Sequence, residues 1–452
     1  MKKKLIILLL VIAPLSVTAQ EVLSLVQCRE MALENNKRMA LAEQKTKEAR
    51  YLQRSMKGNF FPNFSAMALD MYGQMDASLN IPGGNLPVYI GANPNLLKPS
   101  GFAYFPGIDL NMEVNNIFMG GVQVEQPIYM GRKVATAYRM TKIGTKIAQL
   151  NERLTASEVI LETENAYALL VKAQEMSKVA ESYHAVLDEL LKVVESAHRH
   201  GLKPQNDVLK VQVKLNESEL SIRRAENACR LARMNLCHLI GLPLNTPLEI
   251  DSVYPHVAAV PGQGGMISDR PEYGMVDRRV ALAEERVRLT RSERLPKLGV
   301  RGSYSYMNGL KLNDQKLFNE GSFSMMVNLS VPIFHFGVNS GKMRAAKAQL
   351  EQARLEQEDL NEKMTLEMEQ CQNLWDEARL EADLADRLLE QAEENRRLSK
   401  GQYAAGLETL SDHLESQALW QQAYATQVDA RFQLYLSYVK YLKTIGQLQT
   451  EK

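Results

Sequence analysis

Asp412 and Glu415 stand three residues apart, so they share one face of any helix that carries them. Two carboxylates side by side attract cations, and at a helix start they also favour the helix dipole. Two short turns supply the other candidates. Gly201-Leu202 and Gly406-Leu407 each set a residue that permits backbone reversal before a leucine that can reach no core of its own chain, which leaves that leucine available to a partner. His413 adjoins Asp412, but neighbours on a helix point apart, which argues against a catalytic pair. His198 and His200 flank a turn and could hold a metal only weakly, since no Cys or Met cluster backs them and the methionines are scattered. There is no Gly-x-Ser-x-Gly elbow, P-loop or His-Glu-x-x-His run. The chemistry on offer is electrostatic and interfacial, and no catalytic residue, cofactor or resident metal is expected.

The elements that position these residues are duplicated. Gly201, Leu202, Asp207, Leu209, Gln212 and Gly241 recur as Gly406, Leu407, Asp412, Leu414, Gln417 and Gly446, each pair 205 positions apart, and Pro127-Ile128 recurs as Pro332-Ile333 at the same shift. Upstream the shift becomes 234, pairing Asn36 with Arg270 and Pro62 with Pro296, so the first half carries 29 extra residues between Pro62 and Pro127. Each half reads as short helix, strand, loop, strand, very long helix, tight turn, long helix.

The helices carry a coiled-coil seam. Cys371, Trp375, Ala378, Ala382, Ala385, Leu389 and Ala392 step 4-3-4-3-4-3, and Ala166, Leu170, Ala173, Ser177, Ala180, His184 and Leu187 keep that register in the first half. Small seam residues let helix axes approach, so tight antiparallel packing is expected. A helix from about Arg132 to His198 is on the order of 100 Å long, too long for a compact globule.

The strands precede those helices. Leu298, Val300, Gly302, Tyr304 and Tyr306 alternate with Gly299, Arg301, Ser303 and Ser305, and Phe323 to Val331 alternates likewise, the pattern of an outer-membrane barrel strand. Val122 and Val124 against Gln123 and Glu125 give a further strand. Its partner, Phe64 to Gln74, puts Asp70 on the face expected to be apolar, where a bulge or an interfacial level would accommodate it.

The domain reading follows. Residues 1–19, with Lys2 to Lys4, the apolar run Leu5 to Ile12 and Val17-Thr18-Ala19, are expected to be a signal peptide. A first repeat covers 20–241, with strands about 63–74 and 114–126, a Pro/Gly-rich extracellular loop 75–112, and helices 130–199 and 205–240. A linker spans 242–268. The second repeat covers 269–452, with strands about 297–307 and 322–331 and helices 336–401 and 408–446. Without the three leader lysines the balance is 51 basic to 53 acidic residues, which speaks against nucleic acid as a partner. Cysteines 28, 229, 237 and 371 form no close metal-type pair and are expected to be buried small apolar residues.

Four strands cannot close a barrel, and an open edge in hydrocarbon leaves backbone groups unpaired, so the chain is expected to oligomerise. Two copies give eight strands and a filled interior; three give twelve and a lumen. A periplasmic coiled-coil scaffold or adhesin without a pore is the alternative, disfavoured because alternating strands would then have no lipid to face.

Over essentially the whole mature chain the sequence resembles the TolC family of outer-membrane efflux proteins. The resemblance rests on Leu25 to Asn36 with Cys28, Ala32-Leu33 and Asn35-Asn36, on Arg270-Pro271-Glu272, on Pro127-Ile128-Tyr129 and Val331-Pro332-Ile333-Phe334, and on the two Gly-Leu turns. It implies an α+β membrane protein: a homotrimer with long antiparallel coiled-coil helices forming a periplasmic tunnel, and four transmembrane β-strands per chain closing a twelve-stranded barrel in the outer membrane. The implied function is a passive exit duct of a tripartite efflux or type I secretion system, working with a periplasmic adaptor protein and an inner-membrane RND or ABC transporter. The resemblance further implies that Asp412 and Glu415 ring the periplasmic mouth, that Asp207 hydrogen-bonds Tyr403 in a gate, and that Gly201, Leu202, Gly406 and Leu407 are adaptor-docking tips. Pro62, Pro127, Pro296 and Pro332 mark barrel-helix junctions. Glu408 departs from the pattern, standing where a basic lock residue is found in the best-known member.

Overall fold

The computed structural model describes residues 22–88, 101–251, 254, 266–317 and 320–448. The expected signal peptide lies outside the described residues, as do parts of the 75–112 loop and the 242–268 linker. The elements run α1 (Leu25–Asn35), α2 (Lys37–Gly58), β1 (Asn63–Ile81), β2 (Gly84–Val88), β3 (Gly101–Phe105), β4 (Ile108–Met130), α3 (Lys133–Arg199), α4 (Gln205–Ile240), then a short 3-10 turn. They continue with α5 (Pro271–Ser292), β5 (Lys297–Leu312), β6 (Gln315–Leu317), β7 (Gly321–Ser330), α6 (Val338–Ala404) and α7 (Leu410–Thr444). The duplication survives in the lengths: α2 and α5 have 22 residues each, α3 and α6 have 67 each, and α4 and α7 have 36 and 35.

The chain divides into two units, and neither is a sequence repeat. One comprises Met1–Ala49, Gly144–Val280 and Gln352–Lys452; the other comprises Arg50–Ile143 and Ala281–Glu351. Each unit takes residues from both repeats.

In the second unit the long strands form one antiparallel sheet in the order β1-β4-β5-β7, with β6 beside the far end of β5. Two neighbouring rows across the sheet each keep one chemistry. Ser65, Gln123, Ser303 and Ser324 stand opposite one another on one face, and Phe64, Val124, Gly302 and Met325 on the other. Arg301 pairs with Glu125 across β5 and β4 at 3.1 Å on the polar face. Asp70 falls in the row of Phe118 and Asn308, where β1 shifts register between Met71 and Gln74 and β4 between Val114 and Phe118. Asp70 itself stays in register opposite Phe118, so the shift that follows Met71 leaves its face unchanged, and Asn308 is a second polar residue in its row.

The 75–112 loop requires correction. β1 continues to Ile81 and β4 begins at Ile108, with Met75, Ala77, Leu79 and Ile81 opposite Val114, Met112, Leu110 and Ile108. Within that span β2 pairs with β3 as a separate two-stranded sheet. The prolines and glycines lie only between 82 and 107, so they interrupt no residue of the β1 and β4 extensions. Pro62, Pro296 and Pro332 fall between helix and strand, whereas Pro127 lies inside β4 at a register shift that excuses its missing N–H.

In the first unit the seam is buried. Trp375, Ala378, Ala382, Ala385, Leu389 and Ala392 of α6 are inside, as are Ala166, Leu170, Ala173, Ala180 and Leu187 of α3, while Cys371, Ser177 and His184 are half-buried. The largest core joins Leu25, Cys28 and Ala32 of α1 to Val159 to Ala173 of α3, Ala232 to Ile240 of α4 and Phe432 to Leu442 of α7. One carboxylate sits in it. Glu164 is fully buried and is bound by the Arg29 guanidinium and by the Tyr435 hydroxyl. Cys28 and Cys237 are buried without a disulfide, and burial pushes the Cys28 thiol up to about 12, so it is no nucleophile.

Candidate functional site

The helical hairpins turn by the same device. Gly201 has φ of +73° and Gly406 +74°, a region that L side chains rarely adopt. At the first turn Leu202 N–H donates to Ala197 C=O and Gly201 N–H to His198 C=O, both at 2.9 Å; at the second, Leu407 N–H donates to Gln402 C=O and Gly406 N–H to Tyr403 C=O. This double bond pattern satisfies the last carbonyls of α3 and α6 and sends the next residue outward. Leu202 is 76% exposed and Leu407 81%, which makes them the most exposed leucines among the described residues.

Beyond the second turn, Thr409 caps α7. Its hydroxyl oxygen accepts from Asp412 N–H at 3.3 Å and its proton goes to the Asp412 carboxylate at 2.7 Å. Asp412 and Glu415 are both exposed, and the buried residues around them, Leu410, His413, Ser416 and Gln417, mark the opposite side of the helix. Glu415 borders a groove between α4 and α7 lined by Leu209, Val213, Leu414, Lys210 and Lys214.

Asp207 lies in the first turn of α4, its carboxylate 3.9 Å from Lys210. Tyr403, on the last turn of α6, packs against Leu190, Val194, Val208, Val211 and Leu410. Burial first, and Asp207 second, raise the Tyr403 hydroxyl above the ordinary tyrosine value. Among the described residues no hydrogen bond joins Asp207 to Tyr403, so within one chain the two meet only through the field. The aromatic ring instead stacks on His413, with centroids 4.9 Å apart and planes 6° apart, and carries the Lys203 ammonium at 5.1 Å.

His413 is where reading the sequence fell short. It is 4% exposed, and its Nδ1 shares a hydrogen bond of 2.9 Å with Ser399 Oγ. The signal was available in the seam. Continued past Ala392 by steps of 4, 3 and 4, it lands on Arg396, Ser399 and Tyr403. Each of the three meets α7: Arg396 lies 4.0 Å over Trp420, and Ser399 and Tyr403 both touch His413. The adjacency of His413 to Asp412 obscured this, because that neighbour lies on the exposed side. Glu408 is half-buried, and its Oε2 has no hydrogen-bond partner among the described residues.

Known proteins share the fold. A model of the outer membrane efflux protein family matches residues 28–242 and 267–447, which takes in both repeats. The pyoverdine export outer membrane protein OpmQ of Pseudomonas aeruginosa is 26% identical over 384 residues, covering 80% of this chain and 77% of its own. The alkaline protease secretion protein AprF of the same species is 22% identical over 270 residues, or 58% of this chain and 55% of its own. Among solved structures, the Campylobacter jejuni CmeC outer membrane channel superposes with a TM-score of 0.75 at 19% identity, covering 95% of this chain and 87% of that one. With the family model spanning both strand pairs, both helical hairpins and both Gly-Leu turns, the chain belongs to the outer membrane efflux protein family.

Proposed function

We propose that three copies of this chain form a passive exit duct that an inner-membrane pump and a periplasmic adaptor open from below. The observation that carries the trimer is the sheet order: β1 and β7 are edges, unpaired on their outer sides among the described residues. Over about ten membrane residues, an edge strand presents about ten outward N–H and C=O groups, at several kcal/mol each in hydrocarbon. Closure through other copies removes that cost. Twelve strands leave a lumen where eight would fill, so the polar face with Ser303, Ser324, Arg301 and Glu125 lines water and the face with Phe64, Val124 and Phe323 meets lipid.

In the helical unit, Leu202 and Leu407 serve as docking tips for the adaptor, and Asp412 and Glu415 from three copies supply six carboxylates around one axis. Asp207 and Tyr403 belong to the gate beside them. The pump is of the RND or ABC type, and export of a small molecule or of a protein both fit a duct with no catalytic group.

Reconstitution into planar bilayers tests this reading. Purified protein from the outer-membrane fraction should give discrete, cation-selective channels. Recovery in the soluble periplasmic fraction, with no conductance, would favour a scaffold or adhesin.

A further inference from the structure

Within the hairpin of α6 and α7 one titratable side chain is buried where the two helices meet behind the acidic residues. His413 is 4% exposed, stacked on Tyr403 and hydrogen-bonded to Ser399. We propose that His413 is the proton-responsive positioning residue of the gate: neutral, it holds Tyr403 and the end of α6 against α7, and protonated, it releases them. This rests on the assignment of Tyr403 to the gate.

The charged and titratable groups facing it come from every adjoining element. On α6 they are Lys400 and Tyr403, and on the turn Glu408. From the α3–α4 turn and the start of α4, Lys203 and Asp207 act on the Tyr403 ring. Burial depresses the imidazole below its ordinary value, Glu408 opposes that, and Lys400 adds to it; burial is the largest of the three. The Tyr403 ring already carries the Lys203 cation, so an imidazolium stacked on it would be a second positive charge on one ring. Ser399 Oγ is 2.9 Å from Nδ1, a bond that the neutral ring satisfies as donor or acceptor and the charged ring only as donor.

The sign follows from linkage. A histidine whose affinity for a proton is lower in the packed state than in water stabilises that state while it is neutral, and the stability is lost as pH falls below the ordinary histidine range. Acid therefore favours the conformation in which α6 and α7 part at their tips and the ring is solvated. Three copies couple the response, because one opening solvates three rings. A periplasmic site suits such a device, since small ions equilibrate across the outer membrane.

The test is open probability of the purified full-length protein in planar bilayers between about pH 8 and about pH 5.5, a window in which exposed carboxylates stay charged. Wild type should open severalfold more at the acidic end. His413→Asn, which can still bond Ser399, and His413→Phe, which can still stack on Tyr403, should each show no rise. Asp412→Asn with Glu415→Gln should keep the rise, which separates the histidine from the ring carboxylates. A flat wild-type profile, or a rise that persists in either His413 variant, overturns the proposal. Tyr403→Phe with Asp207→Asn, read at pH 8, tests the gate assignment alone. Low conductance there would count against that assignment whatever His413 does.

Discussion

Asn35 occupies the space that a side chain on Gly241 would need, its Cβ only 2.5 Å from where that of an alanine would stand. Asp269, which is to the second repeat what Asn35 is to the first, lies 3.0 Å from the same point on Gly446. Both glycines have positive φ, +80° and +73°. The two ends of the duplicated hairpins are thus seated by the same contact, across a sequence shift of 205 on one side and 234 on the other.

Gly241→Ala should cost about 3 kcal/mol, combining the left-handed backbone with the collision. Gly201→Ala, where nothing lies within 4 Å of the added carbon, should cost about 1 kcal/mol from the backbone alone. Thermal dissociation of the assembled protein should rank them in that order, and equal losses would mean that the Asn35 contact is not tight.

Much of this was legible beforehand for a physical reason: duplication, seam spacing and strand alternation are all periodic, and periodicity survives in a one-dimensional record. The seam positions from Trp375 to Ala392 are all buried, and the alternation around Ser303 and Tyr304 matches the rows of the sheet. What escaped notice was pairing at a distance. Arg29 and Glu164 are 135 positions apart, Glu164 and Tyr435 271, and Glu125 and Arg301 176. No spacing rule joins them. The strand extensions to Ile81 and from Ile108 were hidden for a different reason, since the turn residues of 82–107 were spread over a wider loop than they govern.

Glu164→Ala should destabilise the helical unit by about 3–5 kcal/mol, because it strips the partner from the Arg29 guanidinium and the Tyr435 hydroxyl in a buried site. Glu164→Gln should lose less, since the amide oxygen can still accept. Denaturant midpoints check the ranking, and a neutral effect of the alanine variant would show that the pair is replaceable by packing.

Replacing Leu202 and Leu407 with Asp should abolish export while leaving assembly intact. The change adds charge at two exposed turns and removes no core contact, so a loss of assembled protein is not expected. Drug or substrate retention in cells, measured at matched expression, reads this out; normal export by the double variant would remove the docking role.

In the proposed trimer, Asp412→Ala with Glu415→Ala should lose cation selectivity and block by multivalent cations, because up to six clustered carboxylates disappear from the proposed periplasmic mouth. Arg301→Ala should change selectivity much less. Its charge is already balanced by Glu125 at 3.1 Å, and in the proposed barrel it faces the water-filled lumen, where salt screens it. Reversal potentials in salt gradients decide the matter, and an equal shift from Arg301 would place the constriction in the barrel.

The central claim is that a four-stranded sheet with two open edges is completed by other copies of the chain. Native mass determination of the detergent-solubilised protein tests it most directly. The account predicts a single species of three subunits, in which β1 of each copy pairs with β7 of the next. A stable monomer or dimer carrying the same sheet would contradict it.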